Sequence, residues 1–226
     1  MKIRLLWVLS VSAVAAVIWL LLSGSAGAGS IVDPHRPGAG GGGDAWEQAE
    51  RLRQEGSFAL ALEAYGKVDR KRLDAAGIRR LDLRLADCAW RSEAVTANPD
   101  TTALEEALGK VRKIVEAAKR PSERDQVWAE ASESLGDAAW QVRSRADWNG
   151  AWTSYRAALD WWAGSREIET ARTRYLAILK KAARPDWANA GYAYGSYGNI
   201  LPVETLHRAL KIAGKEDAPW LRYLLA

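Results

Sequence analysis

Phe58-Ala59-Leu60-Ala61-Leu62-Glu63-Ala64-Tyr65-Gly66-Lys67-Val68 is the stretch from which the fold is read. Phe58, Ala61, Tyr65 and Val68 stand three, four and three residues apart, the spacing of one face of a helix. The same spacing returns in Leu104, Ala107, Val111 and Ile114, in Trp148, Ala151, Tyr155 and Ala158, and in Val203, Leu206, Leu210 and Ala213. The intervals between successive sets are 46, 44 and 55 residues, and another helical pattern precedes each set. Self-similarity at such a period predicts a stack of helix pairs, each too small to bury its own apolar face.

Working outward, the first pair is expected at Ala45 to Glu55 and Phe58 to Val68, broken at Gly56, with Ser57 as the cap of the second helix. A long helix is expected from Ala75 to Ala97, stopped by Asn98-Pro99-Asp100 because the residue before a proline is driven out of the helical region. Thr102 and Glu105 have capping-box spacing for a helix running to Lys119. Pro121 and Ser122, with Asp125 behind them, open the next, whose apolar face is Val127, Trp128, Ala131, Leu135, Ala138 and Val142. Asp147 is read as the cap of a Trp148 to Trp162 helix ended by Gly164, followed by Ser165 to Ala183, Pro202 to Ala213 and a last helix opened by Asp217 and Pro219. No segment alternates apolar and polar residues as a strand does, so the expected class is all-α. The last helix ends apolar, where helical stacks finish on a polar outer face, which reads as the front piece of a longer protein.

Residues 5–22 carry no charge, and eighteen residues in a helix span about 27 Å, close to the thickness of a bilayer's hydrocarbon core. Lys2 and Arg4 precede the run, and the first charge after it is Asp33, an asymmetry that sends the remainder across the membrane. Residues 1–22 are therefore read as a signal peptide, with Ala26-Gly27-Ala28 as its small-residue cleavage site, or as an uncleaved signal-anchor helix. Residues 23–44, with Gly40 to Gly43, form a flexible Gly-rich linker, and residues 45–226 the helical repeat domain. Both outcomes place that domain outside the cytoplasm, periplasmic or at the cell surface, membrane-anchored or secreted.

Without Lys2 and Arg4 the chain has 30 basic and 28 acidic residues, interspersed, with no basic stripe for nucleic acid. Cys88 is the only cysteine and sits in an apolar helical context, where a thiol is usually a small hydrophobe. The two histidines, His35 in the linker and His207 beside Arg208, are poor material for a catalytic triad. Cysteine and histidine together fall short of a four-ligand structural zinc site, so neither a metal nor a cofactor is expected, and the chain is not read as an enzyme. Twelve tryptophans against one phenylalanine are read as fillers between helices, with some left for recognition.

Ala49, Leu52, Gly56, Phe58, Ala61, Tyr65 and Val68, and again Asp147, Trp148, Ala151, Tyr155, Ala158 and Leu159 behind Leu135-Gly136-Asp137, resemble the tetratricopeptide repeat. The resemblance implies a right-handed stack of antiparallel helix pairs, an α-solenoid, although the intervals exceed the 34-residue repeat of that family. Trp128 to Asp137, Ala157 to Ser165, Ala183 to Trp187 and Tyr194 to Pro202 resemble the helical amino-terminal region of some bacterial alpha-2-macroglobulin-like proteins. That resemblance implies an arm of a protease-trapping inhibitor whose bait region and thioester are absent here.

Two functional expectations follow: an extracytoplasmic scaffold for protein–protein interaction, or the helical segment of such a protease inhibitor. The partner is a protein or peptide, with the membrane a second partner if the leader is uncleaved. Grooves between first helices of successive pairs are the expected surface, lined by Arg79, Arg84, Trp90, Arg91, Trp140 and Arg143. A second candidate surface is the glycine-punctuated segment carrying Trp187, Tyr192, Tyr194 and Tyr197, aromatic anchors of the type enriched at recognition sites.

Overall fold

The computed structural model describes residues 43–142, 147–182 and 203–226. All regular structure among them is helical. The helices are α1 (Gly43–Gln54), α2 (Phe58–Gly66), α3 (Ala75–Ala94), α4 (Thr101–Ala117), α5 (Gln126–Gln141), α6 (Trp148–Ala163), α7 (Ile168–Ala182), α8 (Val203–Ile212) and α9 (Ala218–Leu225). Short 3-10 turns at Arg70–Arg72 and Pro121–Glu123 lead into α3 and α5. No described helix is long and apolar enough to cross a membrane; the apolar run at 5–22 lies outside the described residues.

Side-chain caps explain several boundaries, and two differ from expectation. Asp74 accepts from the Gly77 amide at the start of α3. Asp100, two residues before Thr102, caps α4 by accepting from the amides of Thr102 and Ala103. A carboxylate before the first turn also opposes the helix dipole, which gives it an advantage over the threonine expected there. Likewise Pro121 and Ser122 open only the short turn, and Asp125 caps α5 by accepting from the Trp128 amide. Neither Ser57 nor Asp147 makes a side-chain cap hydrogen bond. The α1–α2 turn passes through Gly56 at φ 80°, a left-handed conformation that a side chain resists.

Each helix packs against the next in sequence, and α3 also packs against α5, the first helix of the following pair. The core follows this order in three clusters. Trp46, Ala49, Ala61, Tyr65 and Leu81 join α1, α2 and α3. Leu83, Trp90, Leu104, Val111, Val127 and Ala131 join α3, α4 and α5. Trp128, Tyr155, Trp162, Tyr175, Leu179 and Leu206 join α5 to α8. The repeated small residue of the second helices, Ala61, Ala107 and Ala151, is buried in each case and lets the helices approach. Among the described side chains of the repeated sets, Val203 alone is an exposed apolar residue.

Cys88 is fully buried; burial first and the Asp87 carboxylate second push its thiol up to about 12.

Candidate functional site

The first helix of each pair carries a charged row on the side away from its apolar partner. On α3 these are Arg80, Arg84, Asp87 and Arg91, at intervals of four, three and four. Helix α5 presents Gln126, Glu130, Glu133, Ser134 and Asp137, α1 contributes Glu50 and Arg53, and α7 adds Arg174 and Lys181. Most of these residues line one cavity of about 330 Å³, with Phe58 and Leu83 as its apolar wall.

Arg84, 4% exposed, spans three helices. Its Nε donates to Glu50 Oε1 on α1 at 2.7 Å, and its guanidinium pairs with Glu130 Oε2 on α5 at 2.7 Å. Arg53 closes on the other oxygen of Glu50 at 2.9 Å. Gln126 Nε2 donates to Glu130 Oε1 at 2.9 Å. One helical turn pair further along, Arg91 Nε donates to Asp87 Oδ1 at 2.9 Å and Nη2 to Asp137 Oδ2 at 2.6 Å. The Arg91 guanidinium also sits 4.4 Å from the Trp90 ring centroid and 5.5 Å from that of Phe58, within cation–π range.

Asp137 is the convergence point. Besides Arg91, it accepts from Tyr155 Oη on α6 at 2.7 Å and from Lys181 Nζ on α7 at 2.9 Å, while Lys181 also contacts Glu133 at very short range. Ser134 donates to Asp87 at 2.5 Å and accepts from Trp90 Nε1 at 2.9 Å. Arg174 is loosely held, 3.6 Å from Glu130 and 3.6 Å from Glu133 and still 29% exposed. The Tyr65 hydroxyl is buried beside Glu50, without a hydrogen bond of good geometry.

Burial by itself raises the pKa of Glu50, Asp87, Glu130 and Asp137. The cations outweigh it: Arg84 at Glu50 and Glu130, Arg91 at Asp87, and Lys181 with Arg91 at Asp137. All four are held below the usual carboxylate range. Lys181 is raised for the converse reason, burial being overcome by Asp137 and Glu133. Buried charges of this kind persist only when paired, because an isolated ion in a low-dielectric interior is strongly disfavoured.

Among the residues expected at the groove, Arg84 and Arg91 line the cavity. Trp90 is 0% exposed, its indole bonded to Ser134, so it supports the wall and offers no surface to a partner. Trp140 packs, partly buried, against the α5–α8 cluster. Arg79 pairs with Asp125 across 2.5 Å at the ends of α3 and α5. Arg143, Trp187, Tyr192, Tyr194 and Tyr197 lie outside the described residues.

The chain matches no protein-family profile, no curated protein and no solved structure.

Glu50, Arg53, Asp87, Glu130, Glu133, Ser134, Asp137, Arg174 and Lys181 complete the site and were not among the expected residues. Their signal was present: Arg91 meets Asp137 at 46 residues and Asp137 meets Lys181 at 44, the same intervals as the apolar repeats. Among the described residues no group of three or more His, Cys, Asp or Glu is placed to hold a metal ion.

Proposed function

We propose that this protein is an extracytoplasmic, tetratricopeptide-like helical scaffold whose first helices hold a segment of a partner protein. One observation carries the reading: polar rows from α1, α3, α5 and α7 converge on one cavity while the opposite faces fill the core. A helix pair that buries one face and orders charged side chains on the other presents a preorganised polar surface, which lowers the entropy lost on binding.

The rim of the cavity, with Gln54, Gln141, Arg174 and Lys181, stays open to an extended peptide, and the buried ion pairs behind it fix the helices that carry it. These ion pairs suit catalysis less well. The four shifted carboxylates stay ionised throughout the neutral range, so none is poised to exchange a proton there. The address rests on the charge-free run at 5–22 behind Lys2 and Arg4.

The test is selection of peptides from a random display library on the full chain, followed by titration against Arg174→Gln. Arg174 is half-buried and 3.6 Å from each of its two carboxylates, so the neutral amide removes a charge from the groove without adding a third carboxylate beside Glu130 and Glu133. Enriched peptides should lose at least tenfold in affinity with unchanged thermal unfolding. Peptides that bind both forms equally would place recognition elsewhere.

A further inference from the structure

The charged side chains that line the groove are sorted by depth. Its carboxylates, Asp87, Glu130, Glu133 and Asp137, are 1% to 7% exposed, and Arg84 is buried with them. Arg53, Arg91, Arg174 and Lys181 are 15% to 30% exposed. Glu50, behind this lining, is held between Arg53 and Arg84. Among the described residues, the charges that the lining turns to solvent are therefore cations, and the rim beside them is the neutral Gln54 and Gln141.

These cations are not free surface charges, because carboxylates behind them hold them in place. Arg53 is fixed on Glu50 at 2.9 Å, Arg91 on Asp87 and Asp137 at 2.9 and 2.6 Å, and Lys181 on Asp137 at 2.9 Å. Arg174 differs. At 3.6 Å from Glu130 and from Glu133 it is beyond hydrogen-bonding range of both, so its planar fork keeps donors for another acceptor. A charge entering from solvent meets the cations at a shorter distance than the carboxylates, and the nearer charge has the stronger Coulomb term. A lysine or arginine of a partner is repelled there, and reaches a carboxylate only by displacing its cation.

We propose that the segment held by the groove is acidic, an internal stretch of extended chain carrying aspartate or glutamate. This rests on the peptide-binding reading above and adds the chemistry of the peptide. One carboxylate of the segment accepts from the Arg174 fork, which matches it in two parallel hydrogen bonds. Lys181, Arg91 and Arg53 attract its neighbours as charges already ordered before the partner arrives. Complementarity of this kind speeds association and makes it sensitive to salt.

The experiment selects binders of the full chain from three random display libraries, identical except that alternate positions are fixed as glutamate, glutamine or lysine. Selected peptides are remade with both ends blocked, and their affinity is followed by fluorescence anisotropy. Glutamate peptides should bind one to one, about tenfold or more tighter than their glutamine counterparts, and more weakly as salt is raised. Arg174→Gln should weaken them about tenfold, and Arg174→Lys should recover part of the loss. Gln141 is exposed and outside the ion pairs, so its variants keep the fold. Gln141→Glu should weaken binding about threefold and Gln141→Lys should tighten it. Arg174-dependent binders that come equally from the glutamine or lysine library overturn the acidic partner and leave the peptide groove standing. Arg174-dependent binders from none of the libraries overturn the groove reading itself, and this proposal with it. Glutamate peptides indifferent to Arg174 and Gln141 overturn the proposal, as does binding that requires a free carboxyl terminus.

Discussion

Tyr155 donates its hydroxyl to Asp137 across 2.7 Å, joining the repeated aromatic of a second helix to the charged row of the first helix before it. Core and groove are therefore not separate layers. The ring fills the α5–α8 cluster, and the oxygen holds the carboxylate that Arg91 and Lys181 also grip. Tyr155→Phe keeps the ring and removes one charge-assisted bond. It should lower stability by about 1.5–3 kcal/mol, read from the urea midpoint, at an unchanged slope. An unaltered midpoint would show that Asp137 is fully served by its two cations.

Gly136 is where Tyr155 crosses α5. A Cβ there would lie 2.6 Å from Tyr155 Cδ1, closer than any real contact, and the obstacle is a packed ring with no free end to swing away. Gly136→Ala should cost about 1–3 kcal/mol even though alanine is the better helix former. Gly109 on α4 has nothing within 4 Å of its would-be Cβ, so Gly109→Ala should stabilise by about 0.5–1 kcal/mol. Opposite signs from two mid-helix glycines in parallel melts would establish the close approach.

Arg84→Met should be the most damaging single change in the groove, at about 3–5 kcal/mol, because it takes the nearest cation from two carboxylates at once and leaves Glu130 with only Arg80 and Arg174 at 3.6–3.7 Å. Adding Glu130→Gln removes the poorly compensated charge and should recover part of the loss. Two losses that simply add in the double-variant cycle would mean that the pair is not coupled.

Acid should unfold the protein through the same groups. Glu50, Asp87, Glu130 and Asp137 have folded-state pKa values below their unfolded ones, so the unfolded chain binds protons first as pH falls. Their stabilising contribution is complete above about pH 5 and is lost progressively below it, toward their folded values. Chemical denaturation between pH 7 and pH 3 should show stability falling with acid, with a shallower fall in Glu130→Gln.

Cys88 offers a direct clock for opening. It is the only cysteine, is fully buried, and its thiol is pushed up to about 12, so almost none is thiolate at neutral pH. Labelling with a disulfide reagent at pH 8 should proceed at the rate of unfolding and accelerate with urea. Rapid labelling of the native protein would mean that α3 separates readily from α1 and α2.

The helices were legible from residue spacing. Boundaries set by carboxylates were less so: Asp100 and Asp125 cap helices that Thr102 and Pro121 were expected to open. Any of these residue types can begin a helix, and the choice follows from which side chain reaches a free amide. Trp90 and Arg91 are neighbours in sequence with opposite fates, one sealed against Ser134, the other lining a cavity.

The amino-acid sequence by itself determined the all-helical class, the breaks at Gly56 and before α4, and the alternation of apolar and charged faces. These depend on contacts within about one or two turns, where a periodicity of 3.6 residues governs who shares a face. Only the tertiary structure decided that Arg84 meets Glu50 and Glu130, and that Asp137 meets Arg91, Tyr155 and Lys181. Such meetings join residues far apart in the chain, and their geometry follows from how bulky side chains set the helices against one another.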